Sequence, residues 1–148
     1  MARDFDIARK IVANLQTLQE SEDLLRNPCK ISLNHDDQIE TERLKDTDTE
    51  IRVSPEELTH TRVARSTWQD GHGIRVKMFA KAADHLDTAL LEQWCNFVDQ
   101  ITNHLKAAKF DGKRCSSISL RFNQRYDRAA LKDTKVYSTT LLVTYPLI

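Results

Sequence analysis

The chain has 148 residues, with 22 basic and 22 acidic side chains and a formal net charge of zero. One domain is predicted from that length, and no global field draws it onto nucleic acid or a membrane. No apolar run approaches the roughly 18 residues needed to cross a bilayer, and with only three glycines and three prolines few tight turns and no flexible linker are expected. Cys29, Cys95 and Cys115 form no CxxC pair; with no signal-peptide pattern at the N-terminus, they predict free thiols in a reducing compartment.

In chain order, Ile7, Ile11, Leu15 and Leu18 place a first amphipathic helix over residues 4–19. A short strand at 30–33 follows the Asn27-Pro28 break. Residues 34–50 carry seven acids against two bases and almost no large apolar side chain, which predicts a long exposed acidic loop or an extended hairpin tip. EIRVSP reads as a strand ended by Pro55, and RVARSTWQ as another. The Asp70-Gly71-His72-Gly73 turn then leads into IRVKMF, where Ile74, Val76 and Met78 alternate with Arg75 and Lys77, the pattern of a β-hairpin. Leu86, Leu90, Trp94, Phe97, Val98, Ile101 and Leu105 share one face of a long helix over 83–110, which ends before Asp111-Gly112. SISLRF is a strand, NQRYDRAALKDTK a loop, and VYSTTLLVTYPLI a final strand whose alternating threonines suggest a sheet edge or subunit contact. The sum is a single α+β domain over residues 1–148. One mixed or antiparallel sheet of about five to six strands packs against the long helix and the N-terminal helix.

Chemistry is sparse in this pattern. No Gly-rich phosphate loop, GxSxG elbow, HExxH helix or EF-hand loop is present. The best metal-like cluster, His35-Asp36-Asp37, lies in the acidic loop, where adjacent residues rarely converge on one ion. Asp84-His85 suits solvated charge at a helix start, and Cys115 has no base near it in sequence. The expectation is a protein with no catalytic site, cofactor or metal.

Local charge is more informative than net charge. Nine bases and three acids fall between Lys106 and Lys135. Arg121, Arg125 and Arg128 interleave with Phe122 and Tyr126, a pattern that fits a solvated rim or a module for single-stranded nucleic acid. The acidic loop and the basic rim would also complement each other across a head-to-tail contact between copies, the geometry that closes rings.

The order FDIARKIVANLQTL, EIRVSP, TRVARSTW, IRVKMFAKAADHLDTALLEQWCNFVDQITNHL and YDRAALKDTKVYSTTLLVTYPLI resembles the tail terminator and neck proteins of long-tailed bacteriophages. The resemblance covers nearly the whole chain. It implies a non-enzymatic virion protein, assembled in the host cytoplasm, that forms a hexameric ring capping the tail tube and joining it to the head. Its partners would be further copies of itself, the tail tube protein and a head-side connector or head-closure protein, with DNA passing through the lumen unread. Another head–tail joining protein is the alternative. On this reading the contact residues are Asp36, Asp37, Glu40 and Glu42 in the acidic loop, Arg62, Arg65 and Trp68 on the basic strand, and Arg121, Arg125 and Arg128 on the rim.

Overall fold

The alternation and three-to-four spacings of the apolar residues act as expected: they gather helices onto one face of a sheet. The computed structural model describes residues 3–21, 24–26, 29–35, 49–56, 59–64, 67–110, 112–121 and 124–146. Its elements are α1 (Arg3–Glu20), β1 (Cys29–Leu33), β2 (Thr49–Pro55), β3 (Thr59–Ala64), β4 (Thr67–Lys81), α2 (Thr88–Ala107), β5 (Ser117–Leu120), α3 (Arg128–Thr134) and β6 (Val136–Pro146). The strands form one sheet in the order β1-β2-β4-β6-β5, with β3 also paired to β4. β1 and β2 run parallel, and every other pairing is antiparallel. The fold is therefore α+β around a mixed sheet.

Ile31, Ile51, Val53, Ile74, Val76, Met78, Leu141 and Val143 point to the helical side and join Ile7, Ile11 and Leu15 of α1 and Trp94, Phe97, Val98, Ile101 and Leu105 of α2 in one core. The five α2 side chains are fully buried, which at 1.5–3 kcal/mol each is about 8–15 kcal/mol of gross transfer energy. Trp94 fixes α2 to β6. Its ring stacks on Tyr137 with centroids 5.4 Å apart, and its indole N–H donates to Thr139 Oγ1 at 3.0 Å.

Four details depart from the sequence expectation. The Asp70–Gly73 segment is not a turn: it is continuous strand, because β6 supplies partners through Gly71↔Pro146, His72↔Tyr145 and Gly73↔Thr144. The hairpin instead reverses between Ala64 and Thr67, the innermost paired residues of β3 and β4. The helix over 83–110 is shorter, since Asp87 caps α2 by accepting from the Ala89 and Leu90 amides. Asp87 N–H donates to the Asp84 carbonyl in the preceding turn, so Leu86 is 79% exposed rather than core. The final strand is interior over Leu141–Thr144, where it lies between β4 and β5, while its first half has no β5 partner. Lastly, the presumed loop before β6 contains α3, capped by Asp127 accepting from the Ala130 amide and closed by Lys135 in the left-handed conformation.

β1 and β5 end the strand order. The β1 edge is covered from α1: Gln16 Nε2 donates to the Ile31 carbonyl at 3.2 Å, and the Cys29 amide donates to Gln19 Oε1. Side chains that satisfy an edge in this way remove a template for unwanted strand addition.

Candidate interaction surfaces

Three surfaces lie outside the helical layer. The first is the sheet's second face, which alternation fills with charge. Glu50 of β2 accepts from Arg52 at 3.2 Å and lies 3.6 Å from Lys30. The Arg52 guanidinium sits 4.8 Å over the Phe79 ring. Arg75 donates to Ser54 Oγ at 3.2 Å and to the His35 carbonyl at 2.9 Å, and Glu56 lies 3.6 Å from Arg75 and 3.1 Å from Arg121. Glu50, placed by sequence in the acidic loop, is thus a nearly buried strand residue.

Beside this ladder an open cleft of about 290 Å³ is lined by Lys77, Arg121, Gln124, Tyr126, Ser138 and Thr140, with Asp127 at its wall. It forms where β5, pairing only with Leu141–Thr144, leaves the first half of β6 uncovered. The Asp127 carboxylate is occupied as the cap of α3, so the cleft's polarity is that of amides, hydroxyls and two cations.

The second surface is a ribbon. β4 continues past its last β6 partner, Gly71, and its residues Thr67–Asp70 pair with β3. Arg62 and Trp68 occupy directly facing register positions there, with an irregularity between Arg62 and Ala64. A two-stranded ribbon without a third strand is only marginally stable alone in water. Only the backbone course of Arg62 and Trp68 is described, and Arg65, Asp36, Asp37, Glu40 and Glu42 lie outside the described residues, as does most of His35-Asp36-Asp37.

The third surface is the basic segment, and the structure divides it. Arg121 is paired with Glu56, Arg125 lies 3.6 Å from Asp99 of α2, and Arg128 sits 6.0 Å over the Tyr126 ring. These three arginines therefore reach in different directions and each has a partner within the chain. The cations that stand apart come earlier. Lys106, Lys109 and Arg114 are exposed and Lys113 half-exposed, around a tight turn in which Phe110 and Lys113 exchange both backbone hydrogen bonds. The sequence counts these four among nine bases without separating them. The Asp111-Gly112 dipeptide, a two-residue hairpin signature, was the available clue.

The titratable groups follow burial. The Cys29 thiol is pushed up to about 11 by desolvation, partly offset by Arg26, and desolvation also raises Cys95 and Cys115. His104 is lowered by desolvation and its Nε2 lies 2.5 Å from Asn14 Oδ1, between α2 and α1. His85 Nε2 lies 3.3 Å from Lys135 Nζ, and the Cys115 thiol meets the Leu105 carbonyl at 3.9 Å. Among the described residues no three His, Cys, Asp or Glu side chains are placed to hold a metal, and no helix is long and apolar enough to cross a membrane.

No protein-family model matches the chain. A search of curated proteins finds no relative.

Proposed function

We propose that the chain is a virion structural subunit of a long-tailed bacteriophage. It forms a hexameric ring that caps the tail tube, ends tube polymerisation and supplies the joint to the head connector. The observation that carries this reading is the β3–β4 ribbon. Among the described residues it runs past the last β6 partner of β4 and pairs with no third strand, which suits an element stabilised by neighbouring chains rather than by its own fold. The element order quoted above, an N-terminal helix, a proline-ended strand, a long strand into a long helix and a final long strand, supports the same reading.

Capping on this account is non-catalytic. The face with the ribbon and the charged ladder offers backbone edges and paired charges to the last tube ring and leaves the next tube subunit nowhere to add. DNA crosses the lumen through contacts that carry no base information. The pairing of Arg121 with Glu56 and of Arg125 with Asp99 weighs against a single-stranded nucleic-acid module, because those cations are already matched.

Light scattering with negative-stain imaging of the pure protein tests the ring. The expected particle is six-fold, with six times the 17.1 kDa chain mass. A species that stays monomeric at high concentration counts against the proposal. Filter binding to single-stranded DNA, steep in salt and persisting near physiological ionic strength, would favour the nucleic-acid module instead.

A further inference from the structure

We propose that the basic turn carrying Lys106, Lys109, Lys113 and Arg114 is the docking surface for the acidic stretch 36–48 of a second copy of this chain. The proposal rests on the ring reading above and names the contact that would close the ring. Four observations lead to it.

The turn is unmatched in charge. None of its four cations has an ion pair among the described residues, whereas Arg121 and Arg125 are each matched by a carboxylate. The turn is also rigid. Phe110 N–H donates to the Lys113 carbonyl at 2.9 Å and Lys113 N–H returns the bond at 3.0 Å. Phe110 is buried, edge-on to Tyr145 with centroids 5.7 Å apart, and Gly112 supplies the positive φ of 75°. Cations held on such a frame lose less freedom on binding than cations on a mobile loop.

The complementary charge is in the same sequence. Residues 36–48 carry six acids, Asp36, Asp37, Glu40, Glu42, Asp46 and Asp48, against Arg43 and Lys45. Residues 106–114 carry the four bases against Asp111. One net-neutral chain thus holds both halves of a charge-matched contact.

The described residues that flank the two halves belong to different edges of the sheet. The acidic stretch connects β1 to β2, and the turn leads into β5, with Ser116 N–H donating to the Thr144 carbonyl at 2.7 Å. In the order β1-β2-β4-β6-β5 these edges are four strand spacings apart, about 19 Å. Unlike surfaces on opposite edges make a heterologous, head-to-tail contact, and such contacts form closed rings when the rotation closes. A phosphodiester backbone fits less well, because Arg121 and Arg125 already contact carboxylates and Phe110, the aromatic within the turn, is buried and cannot stack on a base.

The test uses two full-length variants. One reverses the turn (Lys109→Glu, Lys113→Glu, Arg114→Glu); the other reverses the acidic stretch (Asp36→Lys, Asp37→Lys, Glu40→Lys, Glu42→Lys). Sedimentation velocity is run at near-physiological salt, with circular dichroism to verify the fold. Each variant alone should self-associate at least roughly tenfold more weakly than the parent, equivalent to about 1.4 kcal/mol or more. An equimolar mixture should reassemble, because each reversed turn then meets a reversed acidic stretch and the two variants alternate around an even-numbered ring. Neutral variants (Lys109→Gln, Lys113→Gln, Arg114→Gln) should weaken assembly in the same direction and serve if a reversed variant misfolds.

A turn-reversed protein that assembles like the parent overturns this contact and leaves the ring reading standing. So does a mixture that fails to reassemble, which would place the charge pairing within one copy. Loss of DNA retention with assembly intact would overturn it in favour of a phosphate surface. A parent protein that never assembles overturns the ring reading, and this contact with it.

Discussion

Trp94 offers the sharpest test of how the helical layer is held. Its ring is fully buried, and its N–H reaches Thr139 Oγ1 at 3.0 Å, while that hydroxyl in turn donates to the Arg125 carbonyl. The bond therefore ties α2, β6 and the segment before α3 together. Replacing Trp94 by Phe keeps an aromatic against Tyr137 but removes the N–H and some volume. The hydrogen bond contributes about 0.5–1.5 kcal/mol and the lost volume about 1 kcal/mol, so about 2 kcal/mol is expected. For a chain of this length that lowers Tm by about 4–8 °C. Thr139→Val should cost about 1–3 kcal/mol, because it leaves a buried indole N–H without an acceptor. In the double variant both partners are gone, and the cost should fall about 1 kcal/mol short of the sum. Urea denaturation followed by circular dichroism measures all three. Additivity within about 0.5 kcal/mol would refute the pairing of Trp94 with Thr139.

Gly112→Ala should cost about 1–2 kcal/mol: the added methyl meets no atom within 4 Å, so the penalty is that of holding a side-chain-bearing residue at positive φ. An unchanged melting temperature would show that the turn does not need that conformation. With its thiol near 11, Cys29 is thiolate in about one molecule in a thousand at pH 8. Its alkylation in the native protein, followed by peptide mass spectrometry, should be at least about a hundredfold slower than after unfolding, and equal rates would contradict its burial. His104 binds its proton more weakly in the folded protein than in the unfolded one. The unfolded chain therefore takes up more protons below about pH 6.5, and stability should fall as pH drops through that value. Denaturation midpoints of the parent and His104→Gln across pH 7.5 to 5 should show a smaller slope in the variant; identical slopes would remove His104 from the account.

Much of the fold was legible because its signals are local. The period-2 run at Ile74, Val76 and Met78 and the helical run from Trp94 to Leu105 each mark their own burial, and both emerge as core. The failures arise where distant partners decide. Asp70–Gly73 looks like a turn until β6, more than sixty residues later, pairs with it. The threonines of β6 suggested an edge, yet Thr139 faces the core and satisfies Trp94. α3 was hidden by its brevity, seven residues between an aspartate cap and a left-handed lysine. The candidate surfaces were less legible still. Arg121, Arg125 and Arg128 look like one patch in sequence, but loop geometry sends them to Glu56, to Asp99 and over Tyr126. The four cations of the 106–114 turn emerge as a group only once the ion pairs of their neighbours are known.

The central claim, that this chain caps a growing tube, is tested most directly by adding the purified protein to the cognate tail tube protein as it polymerises. Tube lengths are then measured by electron microscopy. The account predicts that tubes shorten in proportion to the protein added, each ending in a six-fold ring. Tubes of unchanged length with bare ends would contradict it.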